Sequence, residues 1–193
     1  MNRATIIVLA LIAAFVAGTA SAAYTFSQWL QISGQQSGPW QRLSTLGLPD
    51  ADPYTRAFEH ISGQLPIGSA EGQIYLAAKD SDNQALNASC NYTLEGDVPA
   101  TRLFTLHAET PDGQLISSIA PLQSALHSDQ LLFRGTTFTI NVSASAQPDN
   151  WMALQAKGAF NFVLTYYDVA VINDDTGNST RLPRIVKGGC SNG

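Results

Sequence analysis

From about residue 70 onward the apolar residues of this chain recur at every second position, in runs broken by turn signals roughly every 8 to 15 residues. Successive side chains of an extended strand point to opposite faces, so such a run buries one face and wets the other. Several short runs of this kind predict an all-β sandwich. "GQIYLAAKD" stops at "DSDNQ", "CNYTLEGD" stops at Gly96-Asp97, and "RLFTLHAET" stops at Pro111-Asp112-Gly113. In "LLFRGTTFTINVSAS" the residues Phe138, Ile140 and Val142 share a face. In "AFNFVLTYYDVAVIN" Phe160, Phe162, Leu164 and Tyr166 oppose Asn161, Val163, Thr165 and Tyr167, which marks the longest strand and the central one.

A chain of 193 residues suits one domain with a substantial core. Only 13% of its residues are charged, about half the usual quarter, so the surface must lean on Ser, Thr, Asn, Gln and Gly. The net charge of −5 and ten scattered Lys and Arg supply no basic stripe, which argues against a nucleic-acid partner.

The N-terminus reads "MNRATIIVLALIAAFVAGTASAAY": one cation at Arg3, an apolar run from Ile6, and small residues Ala20-Ser21-Ala22 in the A-x-A arrangement. Residues 1–22 are therefore a secretory signal cleaved after Ala22, or an uncleaved anchor tethering the chain to a membrane through residues 4–23. Residues 23–37 read as a short helical turn and a linker, and 38–193 as the single sandwich domain. Either outcome at the N-terminus exports the rest. The two cysteines, Cys90 and Cys190, then lie where a disulfide can form and are expected to pair, with two independent thiols as the alternative. Closing a loop of about 100 residues would stabilise the fold by roughly 4 to 5 kcal/mol in the chain-entropy model.

Ahead of the strands, Asp52 fits an N-cap and Pro53 the first helical position. Tyr54, Ala57, Phe58 and Ile61 fall at helical spacing and Gly63 ends the run, predicting a short helix over 53–62. Trp40 is expected to cover an edge of the core.

The blocks "DPYTRA", Glu71 with Tyr75, "DSDNQAL" leading to "CNYTLEGDVPATRLFTLHAETPDGQL", "PDNW" and "LTYYD" resemble, in order and spacing, the domain of unknown function 1214 family over about residues 38 to 190. The resemblance implies a jelly-roll-like antiparallel β-sandwich and an N-terminal export or anchor segment. It brings no established activity. Larger relatives carry a second sandwich, the domain of unknown function 1254, which this chain is too short to hold. Three positions depart from the pattern: Thr165-Tyr166-Tyr167-Asp168 replaces an Arg-x-Tyr followed by Pro, Phe104 a Trp, and Met152 a Leu.

Within these blocks Arg56, Glu71, Tyr75 and Arg102 are the candidate ligand-binding residues, with Tyr92 beside them, and Asp52, Pro53 and Trp151 the structural ones. An ion pair between Arg56 and Glu71 under the helix competes with a polar pocket at the sandwich end. No catalytic residue is assigned and no cofactor is expected. His60, His107 and His127 lack metal-ligand spacing, "GSAEG" lacks nucleophile-elbow order, and "DSDNQALNASCN" lacks the Gly and Glu of a calcium loop and reads as a turn. The sites at Asn87, Asn91, Asn141 and Asn178 matter only in a host that glycosylates them. The chain is thus expected to be a periplasmic or cell-envelope domain, secreted or held at the inner membrane, that binds an envelope ligand or protein without catalysis. A hydrolase using Glu71 with Arg56 or Arg102 is the alternative. A carbohydrate-binding module, with Trp40, Trp151 or Tyr167 as an exposed platform, is a second one.

Overall fold

The computed structural model describes residues 2–33, 35–42, 53, 56, 57, 67, 68, 71–98, 101–118, 123–168 and 182–190. They fall into two compact units, Met1–Gly34 and Gln35–Gly193.

The first unit is one helix, α1 (Arg3–Ser33). Its segment Arg3–Thr25 has 23 residues at a mean hydropathy of 2.4 and is exposed throughout. At about 1.5 Å per residue that segment reaches roughly 34 Å, enough for a hydrocarbon core of about 30 Å. Two of its hydroxyls bond within the helix: Thr19 Oγ1 donates to the Phe15 and Val16 carbonyls, and Thr25 Oγ1 to that of Ser21. The expected linker over 23–37 is mostly helix instead. No Gly or Pro occurs between Ala22 and Ser33, so nothing breaks the backbone ladder before Gly34.

The second unit is a β-sandwich. Its described strands are β1 (Gln35–Ser37), β2 (Trp40–Arg42), β3 (Gly72–Ala77), β4 (Cys90–Asp97), β5 (Leu103–Glu109), β6 (Ala125–His127), β7 (Thr137–Ser143), β8 (Trp151–Ala153), β9 (Asn161–Tyr167) and β10 (Arg184–Cys190). One sheet has the order β1-β2-β3-β9-β5-β6 and the other β10-β4-β7-β8. All pairs are antiparallel except β7 with β8, where Asn141 faces Trp151 in parallel register. The expected antiparallel β-sandwich is what forms, with this one parallel pair in its four-stranded sheet. The chain doubles back after Ser143 through Asp149, which adopts a left-handed φ of 62°, and Asn150 ties the return to β7 by donating to the Thr139 carbonyl over 2.9 Å.

Alternation holds strand by strand. Cys90, Tyr92 and Leu94 point inward from β4, and Phe138, Ile140 and Val142 from β7. Strand β9 is central to its sheet, between β3 and β5, although β4 with 8 residues is longer than its 7. Val163 and Thr165 on the second face of β9 are also buried, so this strand is covered on both sides. Between the sheets Tyr92 of β4 meets Phe160 and Phe162 edge-on, at 5.6 and 6.0 Å, and Phe104 of β5 meets Phe138 of β7 at 5.3 Å. These rings fill the sandwich and supply the largest apolar areas in it. Trp40 is fully buried in this core rather than covering its edge. Gly72 is required where it stands, since a Cβ there would meet the Tyr166 carbonyl oxygen at 2.5 Å.

Cys90 and Cys190 form a disulfide that closes β10 onto β4, so the two-thiol alternative does not hold.

Candidate functional site

Of the helix expected over 53–62, Pro53, Arg56 and Ala57 are helical, with Pro53 and Arg56 exposed. Asp52, Tyr54, Phe58 and the rest of that segment lie outside the described residues. Glu71 is exposed in the turn entering β3, where its amide donates to the Gly68 carbonyl over 2.8 Å and its carbonyl accepts from Asp168 over 2.8 Å. Arg102 is exposed just before β5. A buried Arg56–Glu71 pair is thereby corrected: Glu71 sits at a sheet end, where its carboxylate meets water, and Arg56 is solvated as well.

Tyr75 differs from the other three candidates. It is buried on the inner face of β3, its hydroxyl donates to Gln73 Oε1 over 2.6 Å, and its ring stands 5.6 Å from that of Tyr166. Tyr166, the cross-strand partner of Gln73, is fully buried, and its hydroxyl has no hydrogen-bond partner among the described residues. Burial first, and the neighbouring Tyr75 second, push its proton loss far above the ordinary tyrosine range. The hydroxyl therefore stays neutral. It is sealed in the core, so it offers nothing to a ligand from solvent. Tyr92 is likewise internal, its hydroxyl accepting from the Asn87 amide over 2.8 Å.

On the outer face of the six-stranded sheet Glu109 is buried and accepts a hydrogen bond from Asn161. Desolvation raises its carboxyl to about 6, only partly offset by that bond. His107, two residues earlier on the same face, is pulled down by its own burial. Among the described residues no cluster of three or more His, Cys, Asp or Glu side chains is arranged to hold a metal. Asp80 holds the predicted turn through Oδ1, which accepts from the amides of Asp82 and Gln84, while its Oδ2 is buried with no hydrogen-bond partner among the described residues.

Sequence patterning missed a cleft of about 260 Å³ on the outer face of β7. Its floor is the outward row Thr137, Thr139 and Asn141, set opposite the core row Phe138, Ile140 and Val142. Arg134 and Asp149 close one side through an ion pair of 2.8 Å. Asn150 braces the wall: its side chain accepts from the Leu132 amide and donates to the carbonyls of Leu132 and Thr139. Trp151, expected as a structural residue, lies half-buried on this outer face, with its indole N–H on the Ser143 carbonyl and hydroxyl, while the next residue, Met152, fills the core. Alternation predicts the outward row. The ion pair, 15 residues apart and across two turns, has no sequence signature.

Two sheets packed on an aromatic core and closed by a disulfide define an all-β sandwich domain carrying a polar cleft on one sheet face. The chain belongs to the family described as "Protein of unknown function (DUF1214)", whose model matches residues 71–170, just over half of the chain. Among solved structures, the VPA0106 protein from Vibrio parahaemolyticus is similar at a TM-score of 0.56 and 17% identity, covering 74% of this chain and 39% of that one. A putative uncharacterized protein from Burkholderia cenocepacia is similar at a TM-score of 0.49 and 10% identity, covering 86% and 39%. The chain thus spans 39% of the length of either protein, and the first likeness speaks to the fold alone. No curated protein matches the chain.

Proposed function

We propose that this chain is a cell-envelope domain, exported to the periplasm and held at the inner membrane by α1 or released by cleavage after Ala22, where it binds an envelope ligand or protein without catalysis. The observation that carries the reading is the Cys90–Cys190 disulfide, because such crosslinks persist in oxidising compartments and are rare in the cytosol. The apolar segment Arg3–Thr25 supplies the route, and Arg3 ahead of it favours a cytoplasmic N-terminus with the sandwich on the far side.

Binding is favoured over hydrolysis by where the charged candidates sit. A general base needs a substrate held within hydrogen-bond reach and shielded from bulk water. Glu71, Arg56 and Arg102 are all solvent-exposed, so the alternative that uses Glu71 with either arginine lacks that shielding among the described residues.

Fractionation of a Gram-negative host expressing the full chain, followed by thiol alkylation without reductant, tests the reading. The expected protein is in the envelope fraction and takes up no alkylating agent until reduced. Recovery from the cytoplasm with both thiols reactive would overturn it. N-terminal sequencing of the same material separates a chain beginning at Ala23 from an uncleaved anchor.

A further inference from the structure

We infer that the cleft on the outer face of β7 is a binding site for a neutral N-acetylated glycan, an assignment that rests on the envelope-binding reading and gives it a ligand class. At about 260 Å³ the cleft falls just under the range of about 300 to 1,000 Å³ typical of drug-sized sites, so it suits one sugar ring of a longer chain rather than a whole extended molecule.

Its chemistry selects the ligand. Arg134 and Asp149 neutralise each other, so an anionic ligand would face the Asp149 carboxylate and a cationic one the Arg134 guanidinium, leaving a neutral molecule as the match. Beside this pair stand the hydroxyls of Thr137 and Thr139 and the amide of Asn141; Thr137 Oγ1 already donates to the Arg134 carbonyl, and Asn141 donates to the Pro148 carbonyl and accepts from Thr93, so among the described residues Thr139 is free to donate and accept while the other two oxygens keep a lone pair for a sugar hydroxyl. Capacity remains in these groups: Arg134 commits one terminal nitrogen to Asp149, and Asp149 commits only Oδ2 to Arg134. Leu132, 64% exposed, and Phe138 add apolar contacts among the polar side chains of the same cleft. An acetamido group, which presents a methyl and an amide together, matches a lining that holds both Leu132 and Asn141.

The wall is built in advance of any ligand. Asn150 makes three hydrogen bonds that hold the 131–134 segment and β7 together, and Asp149 is fixed in a left-handed conformation at φ 62°. Rigid walls lower the ordering cost of binding. Trp151 continues the site: it is the register partner of Asn141, faces the same side, and has its ring pinned by Ser143. Its exposed part offers an aromatic surface to the apolar face of the next sugar. The cleft lining holds a single carboxylate, Asp149, whereas glycoside hydrolysis commonly uses a flanking pair, so the site binds glycan without cleaving it.

The test titrates the full chain, in detergent micelles and with its disulfide intact, with the N-acetylglucosamine tetramer, following Trp fluorescence and calorimetry, beside the glucose tetramer linked in the same way. Saturable binding of the acetylated tetramer, weaker by about tenfold or more for the glucose tetramer and for Thr139→Lys, is the expected result. Thr139 is exposed and its side chain makes no hydrogen bond among the described residues, so the variant should unfold at the same temperature as the parent and any loss of binding reports the cleft. Equal binding of the two tetramers would overturn the acetamido assignment. Binding unchanged in Thr139→Lys would overturn the location, and no binding at millimolar sugar would overturn the site. Each of these failures, in a protein found exported and disulfide-linked, leaves the envelope reading standing. Recovery of a cytoplasmic, thiol-bearing protein removes that reading itself.

Discussion

The indole nitrogen of Trp40, in β2 of the six-stranded sheet, donates to the carbonyl of Pro183, one residue before β10 of the four-stranded sheet, over 2.7 Å. The ring is fully buried, so this one side chain both fills the core and satisfies a carbonyl at the junction of the two sheets. Trp40→Phe keeps most of the apolar contact and strands the Pro183 carbonyl. It is expected to cost about 1 to 3 kcal/mol, read as a lower urea midpoint at unchanged slope.

Removing the disulfide should act on the same end of the chain. Cys90 and Cys190 are 100 residues apart in sequence, and the double change Cys90→Ser with Cys190→Ser is expected to destabilise by up to roughly 4 to 5 kcal/mol. Limited proteolysis should then cut first within residues 182–190, which only β4 pairs in the sheet. An intact tail in the reduced protein would count against this account.

Arg56 is exposed, and an exposed ion pair is worth about 0 to 1 kcal/mol, whereas removing one partner of a buried pair costs about 3 to 5. Thermal unfolding of Arg56→Ala, alone and with Glu71→Gln, should therefore show a loss of at most about 1 kcal/mol and little recovery in the double variant. A loss of several kcal/mol recovered by Glu71→Gln would restore the buried pair.

Tyr166→Phe removes a buried hydroxyl with no partner among the described residues and leaves the ring contacts with Tyr75 and Phe104 in place. The variant should be as stable as the parent or more stable by about 1 kcal/mol. A marked loss would mean that the hydroxyl is bonded in solution.

Glu109 sets a pH dependence whose sign can be worked out. Its folded carboxyl titrates at about 6 against an ordinary 4.5, so the folded state holds the proton more tightly than the unfolded chain. The resulting stability is fully present below about 4.5 and is lost as pH rises through about 6, a change of about 2 kcal/mol. His107 acts in the opposite sense: its depressed folded value contributes stability above the ordinary histidine range that is lost as pH falls. The clean readout is the difference between the parent and Glu109→Gln, which should grow in the parent's favour as pH is lowered from 7 to 4.5. A pH-independent difference would show that Glu109 titrates normally in the fold.

What the sequence alone determined is local. The two-residue period in "TFTINV" sends Phe138, Ile140 and Val142 inward and Thr137, Thr139 and Asn141 outward, because neighbouring Cβ atoms of a strand point to opposite faces. The same period located the core face of β9, turn residues located the turn at Asp80, and the unbroken apolar run located the segment in α1. Only the tertiary structure decided which strands pair: it set β8 parallel beside β7, buried Trp40 against Pro183, left Trp151 on the outer face, and brought Arg134 to Asp149. Alternation states which way a side chain points relative to its own strand, and it is blind to what lies opposite. A polar cleft or an inter-sheet hydrogen bond depends on contacts between residues far apart in the chain, which form only when the two sheets are assembled.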